Sequence, residues 1–263
     1  MKLPNFILIG AQKCGTTTLH QYLDQHPDVF MSDPKEVRFF CVPPEGVEWR
    51  GPGYEALLEG RPRSLPDYAE YFREAKGESA VGESTPLYIY LPWSAASIHA
   101  ALPDVKLIAI LRHPAARAFS HYHMIRRKMV EPCADFVDAV RKEPERIAAG
   151  WGAATHYVRS SLYAEQLERY YTLFPRENIK VVLFEDFVKD RNAVLRELFE
   201  FLGVDGSFVP AREVHSNEGF VPRTMTAVPL LYGENWFRRA ARSLAPPKLR
   251  YSLTSGMKRL HKA

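Results

Sequence analysis

A chain of 263 residues, 46% hydrophobic and 25% charged, is long enough for one large α/β domain and unlike a disordered or fibrous protein. Its formal net charge of +4 is uneven: residues 223–263 hold nine Lys/Arg and one acid, Glu234, whereas residues 1–222 hold 26 basic and 30 acidic residues. A mildly acidic body with a basic tail is not the footprint of a nucleic-acid-binding domain. The three cysteines, Cys14, Cys41 and Cys133, make neither a disulfide framework nor a zinc pattern, and the histidines form no H-x3-H or H-E-x-x-H, so no metal is expected. No signal-peptide architecture opens the chain and no apolar run approaches the roughly 18 residues of a membrane span, which leads to a cytoplasmic expectation.

In chain order, strands are predicted at about 5–10, 28–31, 79–83, 105–111 and 179–184. Helices are predicted at about 15–25, 66–75, 92–101, 114–129, 134–148, 158–174 and 190–202. This alternation predicts an α/β fold of the P-loop type, three layers with a central parallel sheet flanked by helices. The segment 41–66, rich in Pro and Gly, reads as a loop excursion. Residues 1–222 form the expected catalytic domain. Residues 223–263 form a basic C-terminal helical extension packed on it, with Leu230, Trp236, Phe237, Ala240, Ala241 and Leu244 at helical spacing and Arg238, Arg239 and Arg242 mostly off that stripe. The alternative is peripheral contact of this helix with an anionic membrane.

The first chemical signal is Phe6-Ile-Leu-Ile-Gly-Ala-Gln-Lys-Cys-Gly-Thr-Thr-Thr-Leu19. An apolar run enters a Gly-bracketed loop and then a helix, so backbone N–H groups and hydroxyls gather at a helix N-terminus, a seat for phosphate or sulfate. A nucleoside-triphosphate loop places Lys directly after its second Gly. Here Thr16 holds that position and the lysine, Lys13, lies inside the loop. That argues against ordinary ATP or GTP hydrolysis.

Further along, the strand Val105–Leu111 ends in Arg112 where a triphosphate-hydrolysing fold would carry Asp, and Pro114 opens a helix in which Ser120 lies about two turns in. On that helix His121 and His123, at i and i+2, point to different faces. Arg offers a planar fork for phosphate oxygens, and a hydroxyl can complete the shell. Val181–Asp186 reads as a strand ending in acids, the best argument for a triphosphate enzyme. No Gly-x-Ser-x-Gly elbow exists, so an α/β-hydrolase is excluded.

The string Gln12-Lys13-x-Gly15-Thr16-Thr17-x-Leu19 resembles the 5′-phosphosulfate loop of sulfotransferases that use 3′-phosphoadenosine 5′-phosphosulfate (PAPS). His26-Pro27-Asp28-Val29, then Lys35-Glu36-Val37-Arg38-Phe39-Phe40, is similar to the heparan-sulfate branch and its bacterial relatives. The resemblance implies transfer of a sulfuryl group from PAPS to a hydroxyl or amine, releasing adenosine 3′,5′-bisphosphate (PAP), with a small molecule, carbohydrate or lipid-linked saccharide as acceptor. It implies Lys13 at the leaving oxygen and Cys14, Gly15, Thr16, Thr17 and Thr18 around the 5′-phosphate, with Arg112 and Ser120 at the 3′-phosphate. Glu36 is the expected general base and Glu83, in Gly82-Glu83-Ser84-Thr85-Pro86, the reserve. Two positions depart from the pattern: Arg38 stands where some relatives have histidine, and Ser84 where relatives often have lysine. Tyr163 is either near the nucleotide or a core tyrosine, and Gly219 and Arg223 occupy a loop that relatives present to the 3′-phosphate. The runners-up are a P-loop nucleotide kinase or NTPase, and a catalytically idle PAPS-binding protein.

Overall fold

The computed structural model describes residues 2–53 and 59–214. Five apolar runs form strands β1 (Phe6–Gly10), β2 (Val29–Met31), β3 (Ala80–Ser84), β4 (Lys106–Leu111) and β5 (Ile179–Leu183). They make one parallel sheet in the order β2-β3-β1-β4-β5. Every residue of β1 and β3 is buried, as is every residue of β4 except Lys106, because helices cover both faces. Phe6 pairs with Gly82 on one side and Lys106 on the other, and Leu8 pairs with Ser84 and Ile108. Gly82 is fixed by that register: a Cβ there would sit 2.2 Å from Cζ of Phe6.

The helices are α1 (Thr16–Leu23), α2 (Leu65–Ala69), α3 (Ser94–Ala101), α4 (Pro114–Arg127), α5 (Phe136–Arg141), α6 (Glu143–Ala148), α7 (Tyr163–Tyr171), α8 (Phe184–Lys189) and α9 (Arg191–Leu202). Local chemistry sets their ends. Ser64 and Asp67 form a reciprocal capping box for α2, Asp135 accepts from the N–H groups of Val137 and Asp138 to start α5, and Asp190 accepts from Ala193 N–H to start α9. Among the described residues no helix is long and apolar enough to cross a membrane.

Four predicted elements differ from those observed. The helix expected over 134–148 is two, joined at Lys142, because Pro144 has no N–H for the carbonyl one turn back and is tolerated only in the first turn of α6. The helix expected over 66–75 tightens into a 3-10 turn at Glu70–Phe72. That over 158–174 begins as a 3-10 turn at Arg159–Ser161 and restarts at Tyr163 after the non-helical Leu162. The strand expected over 179–184 stops at Leu183, and the acids Glu185 and Asp186 fall in the first turn of α8, where they complement the helix dipole. They are therefore not strand-end acids. Gly219, Arg223 and the basic tail lie outside the described residues.

From β1 the chain travels through β2 and β3 on one side, then crosses to β4 and β5 on the other. The loops leaving β1 and β4 thus diverge from adjacent strand ends, and the crevice between them is where open α/β sheets receive ligands.

Candidate active site

The loop leaving β1 has the backbone its residues require. Gly10 touches Ile89, with a Cβ position 2.3 Å from that side chain, and Ala11 N–H donates to Ile110 O at 2.8 Å across the switch point. Lys13 and Gly15 both adopt the left-handed region, at φ 72° and 87°, which folds the loop back over the start of α1. A Cβ on Gly15 would lie 2.9 Å from the Phe184 ring, so a side chain is excluded twice over. Among the described residues no side chain caps α1, so its first-turn N–H groups are left for a partner from outside the helix, and Thr16, Thr17 and Thr18 bring three hydroxyls to the same turn, a chemistry suited to an anion.

Lys13, Arg112, Arg127 and Lys128 bring their positive charges together around this loop. Lys13 is half-buried, and its ammonium is made less basic by burial first and then by Arg127, Lys128 and Arg112. Among the described residues neither Lys13 nor Arg112 pairs with a carboxylate. The Arg112 guanidinium instead stacks 4.8 Å over the Phe184 ring. Tyr163 joins the two loops: its hydroxyl donates to Arg112 O at 2.9 Å and lies 3.7 Å from Cys14 Sγ, and burial pushes the Cys14 thiol up and keeps it neutral. Tyr163 is thus both part of the packing and in contact with each of the two loops. Glu185 accepts from His113 N–H at 3.0 Å and fixes the turn into α4, on which Ser120 is half-exposed.

The third element is the loop at 33–41, hung on the outer strands. Glu36 N–H donates to Ser84 O at 3.0 Å, Arg38 N–H to Thr85 Oγ1 at 3.2 Å and Phe40 N–H to the Tyr88 hydroxyl at 3.3 Å. Glu36 and Arg38 are held at φ 68° and 63°, unusual for residues with side chains and a strain kept in place by these bonds. Glu36 remains partly exposed, 3.3 Å from Lys35 Nζ and 3.7 Å from Arg38.

Glu83 is different. It is fully buried, with Tyr68 and Tyr88 hydroxyls donating to Oε1 at 2.9 Å each and Thr85 donating to Oε2 at 2.6 Å. Burial raises its pKa, and the three hydroxyls and Lys35 counter that. Thr85 and Tyr88 each accept from the 33–41 loop and donate to Glu83, so this carboxylate ties β3, α2 and the loop together. Ser84 is buried, and among the described residues its hydroxyl has no partner.

A cleft of about 310 Å³ opens between these parts. Its lining includes Gln12, Glu36, Arg38, Thr85, His121 and Lys128, and its far wall is Gly53 with Gly152–Ala154. Glu36 faces the cleft and Glu83 does not. The two outer loops are stitched together where Arg50 N–H donates to Gly150 O at 2.7 Å and Gly152 N–H to Arg50 O at 2.8 Å, with Gly51 close against Trp151.

Sequence reasoning overlooked Phe184, which carries Arg112 and closes on Gly15, because the strand was expected to continue through it. It weighed His121 only against His123, although His121 is one turn beyond Arg117 on α4 and that spacing puts these two side chains on one face.

Comparison with known proteins agrees with this geometry. The model of the sulfotransferase family matches residues 4–208. A crystal structure of a sulfotransferase from Alicyclobacillus acidocaldarius is 39% identical, with a TM-score of 0.74 over 82% of this chain and 87% of that one. A sulfotransferase domain from the curacin biosynthetic pathway, 19% identical with a TM-score of 0.52 over 80% of this chain and 77% of that one, shares the fold. Curated relatives include heparan sulfate glucosamine 3-O-sulfotransferase 3B1 of Mus musculus, 30% identical over 77% of this chain and 47% of that protein. Another is the membrane-associated sulfotransferase kil1 of Dictyostelium discoideum, 26% identical over 81% of this chain and 59% of that protein. The chain thus spans about half the length of these relatives. With the matched region running from just before β1 to just beyond α9, the chain belongs to the sulfotransferase family.

Proposed function

We propose that this sulfotransferase takes its sulfuryl group from PAPS and delivers it to a hydroxyl or amine acceptor lying in the cleft. The observation that carries this reading is the pair of cations that, among the described residues, have no carboxylate partner, Lys13 and Arg112, flanking a helix start with no side-chain cap among those residues, at the switch point of the sheet. PAPS would supply the sulfuryl group and a phosphate oxygen as leaving group. The first turn of α1 would hold the 5′-phosphate through the N–H groups and hydroxyls of Thr16, Thr17 and Thr18, with Cys14 and Gly15 shaping the loop. Arg112 and Ser120 would hold the 3′-phosphate, with Tyr163 fixing the Arg112 backbone. Gly219 and Arg223 belong to the same proposal on sequence grounds alone.

For the chemistry, Lys13 meets the negative charge that develops on the departing oxygen. Glu36 takes the acceptor's proton as the new O–S or N–S bond forms and the S–O bond to the leaving phosphate breaks. Glu36 is favoured as base over Glu83 because it faces the cleft. Glu83 is given the positioning role, acting through Thr85, Tyr88 and Lys35 on the loop that carries Glu36. Carbohydrate, lipid-linked saccharide and small-molecule acceptors all fit this chemistry. Residues 223–263 are proposed as a basic helical extension of the 1–222 catalytic domain.

The test compares calorimetric binding of PAP, AMP and ATP, followed by transfer of labelled sulfate from PAPS to extracted glycans, lipids and small molecules. PAP binding at least about tenfold tighter than AMP is expected from one charge-assisted phosphate contact of the Arg112 kind. Preference for ATP with magnesium, or indifference to the 3′-phosphate, overturns the proposal.

A further inference from the structure

His121 is buried to 1% exposure, yet it is one of the residues that line the cleft. Its other neighbour is Arg117, a fully buried arginine whose Nε donates to Ser161 Oγ at 2.6 Å and whose Nη2 donates to Tyr157 O. The Nη1 of Arg117 lies 3.4 Å from Nδ1 of His121. A guanidinium can only donate, so Nδ1 is the acceptor and the ring proton is on Nε2. Arg117 thereby sets the tautomer, in the way a second partner fixes the imidazole in many active sites. The edge left for the cleft is an N–H donor.

The surroundings say what such a donor is for. Burial first, and then the positive charges of Arg117, Lys13 and Lys128 with His156 beyond them, hold this imidazole well below its ordinary pKa, so it stays neutral at neutral pH. It is therefore no counter-ion and a poor base. Lys13, proposed to meet the leaving oxygen, is near enough for its charge to act on this imidazole, and Glu36, the proposed base, lines the same cleft. Between leaving oxygen and acceptor passes a sulfuryl group whose oxygens carry negative charge throughout the transfer. A rigid neutral N–H in a positive pocket is matched to one of those oxygens.

We propose that His121 is a further catalytic residue, donating a hydrogen bond from Nε2–H to a sulfuryl oxygen. This rests on the PAPS reading given above. No proton leaves His121, and the acceptor's proton still goes to Glu36.

The experiment uses the full chain labelled with 15N-histidine, with the His121 signals assigned by comparison with His121→Gln. Long-range 1H–15N spectra from about pH 6 to 9 should show the Nε2–H tautomer throughout, with no titration. Addition of PAPS without acceptor should move the His121 Nε2–H resonance further than addition of PAP. In calorimetry, His121→Ala should lower the PAPS-to-PAP affinity ratio about tenfold, and His121→Gln, which keeps a donor near the same place, should restore most of it. An Nδ1–H tautomer, a titration within the range, or equal shifts with PAP and PAPS overturns the assignment. If the wild-type protein binds both nucleotides and His121→Ala leaves the ratio unchanged, His121 alone is wrong. If the wild-type protein binds neither, the PAPS reading falls with it.

Discussion

Lys13 combines a left-handed backbone with a half-buried ammonium that faces three other cations, and the two features can be separated by mutation. At φ 72° a Cβ is strained, so glycine should be preferred over alanine by about 1 kcal/mol even after its greater freedom in the unfolded chain is subtracted. For a domain of roughly this size that is a difference of about 2–4 °C in melting temperature. Both Lys13→Gly and Lys13→Ala remove an ammonium that Arg112, Arg127 and Lys128 oppose, so neither should melt far below the wild-type protein in the absence of ligand. Both should nevertheless lose about 10²–10³-fold in turnover, the usual cost of deleting a group that meets developing charge. Calorimetric melting of the ligand-free proteins and labelled-sulfate transfer from PAPS give the two readouts. An alanine variant as stable as the glycine variant would refute the strain argument, and wild-type turnover in either would refute the role of the ammonium.

Glu36→Gln should reduce turnover by about 10²–10⁴-fold while PAP affinity stays within about twofold, since the change removes a proton acceptor and leaves the donor pocket alone; calorimetry and transfer assays decide it. Arg112→Lys should collapse the preference for PAP over AMP by about tenfold, because a point charge replaces a planar fork stacked on Phe184, and titration with both nucleotides reads it. Burial lowers His20 and His156 to about 4 each. The unfolded chain, with histidines near 6.5, binds more protons between about pH 4 and 6.5, so stability is intact above that window and falls as the pH drops through it, by up to about 1.4 kcal/mol per pH unit per group. Melting curves should show this slope, reduced in His20→Gln and His156→Gln; equal slopes in all three proteins would contradict it. Removing residues 224–263 should leave recovery with anionic liposomes unchanged in flotation if the basic extension packs on the domain, and loss of recovery would assign it to the membrane.

The sheet was legible because parallel strands covered on both faces read as continuous apolar runs, and Ile7–Ile9 and Leu107–Leu111 carry no competing signal. The strand–loop–helix turn from β1 into α1 was legible because its glycines and threonines are local in sequence. What escaped was set by long-range partners. Leu183–Phe184 looked like more strand, and only the packing of Phe184 on Gly15 and Arg112 marks it as a helix start. The different surroundings of Glu36 and Glu83 could not be read from sequence either, because both sit in motifs with hydroxyls and cations nearby. The separation depends on Tyr68 and Tyr88 reaching Glu83 from residues 15 before and 5 after it.

The single backbone bridge between Arg50 and Trp151 links two segments a hundred residues apart in sequence, both on the cleft wall opposite the sheet. Under the proposed function, changes in the length of either segment of that seam would reshape the space open to an acceptor while β1 and β4, and the loops that leave them, keep their dimensions.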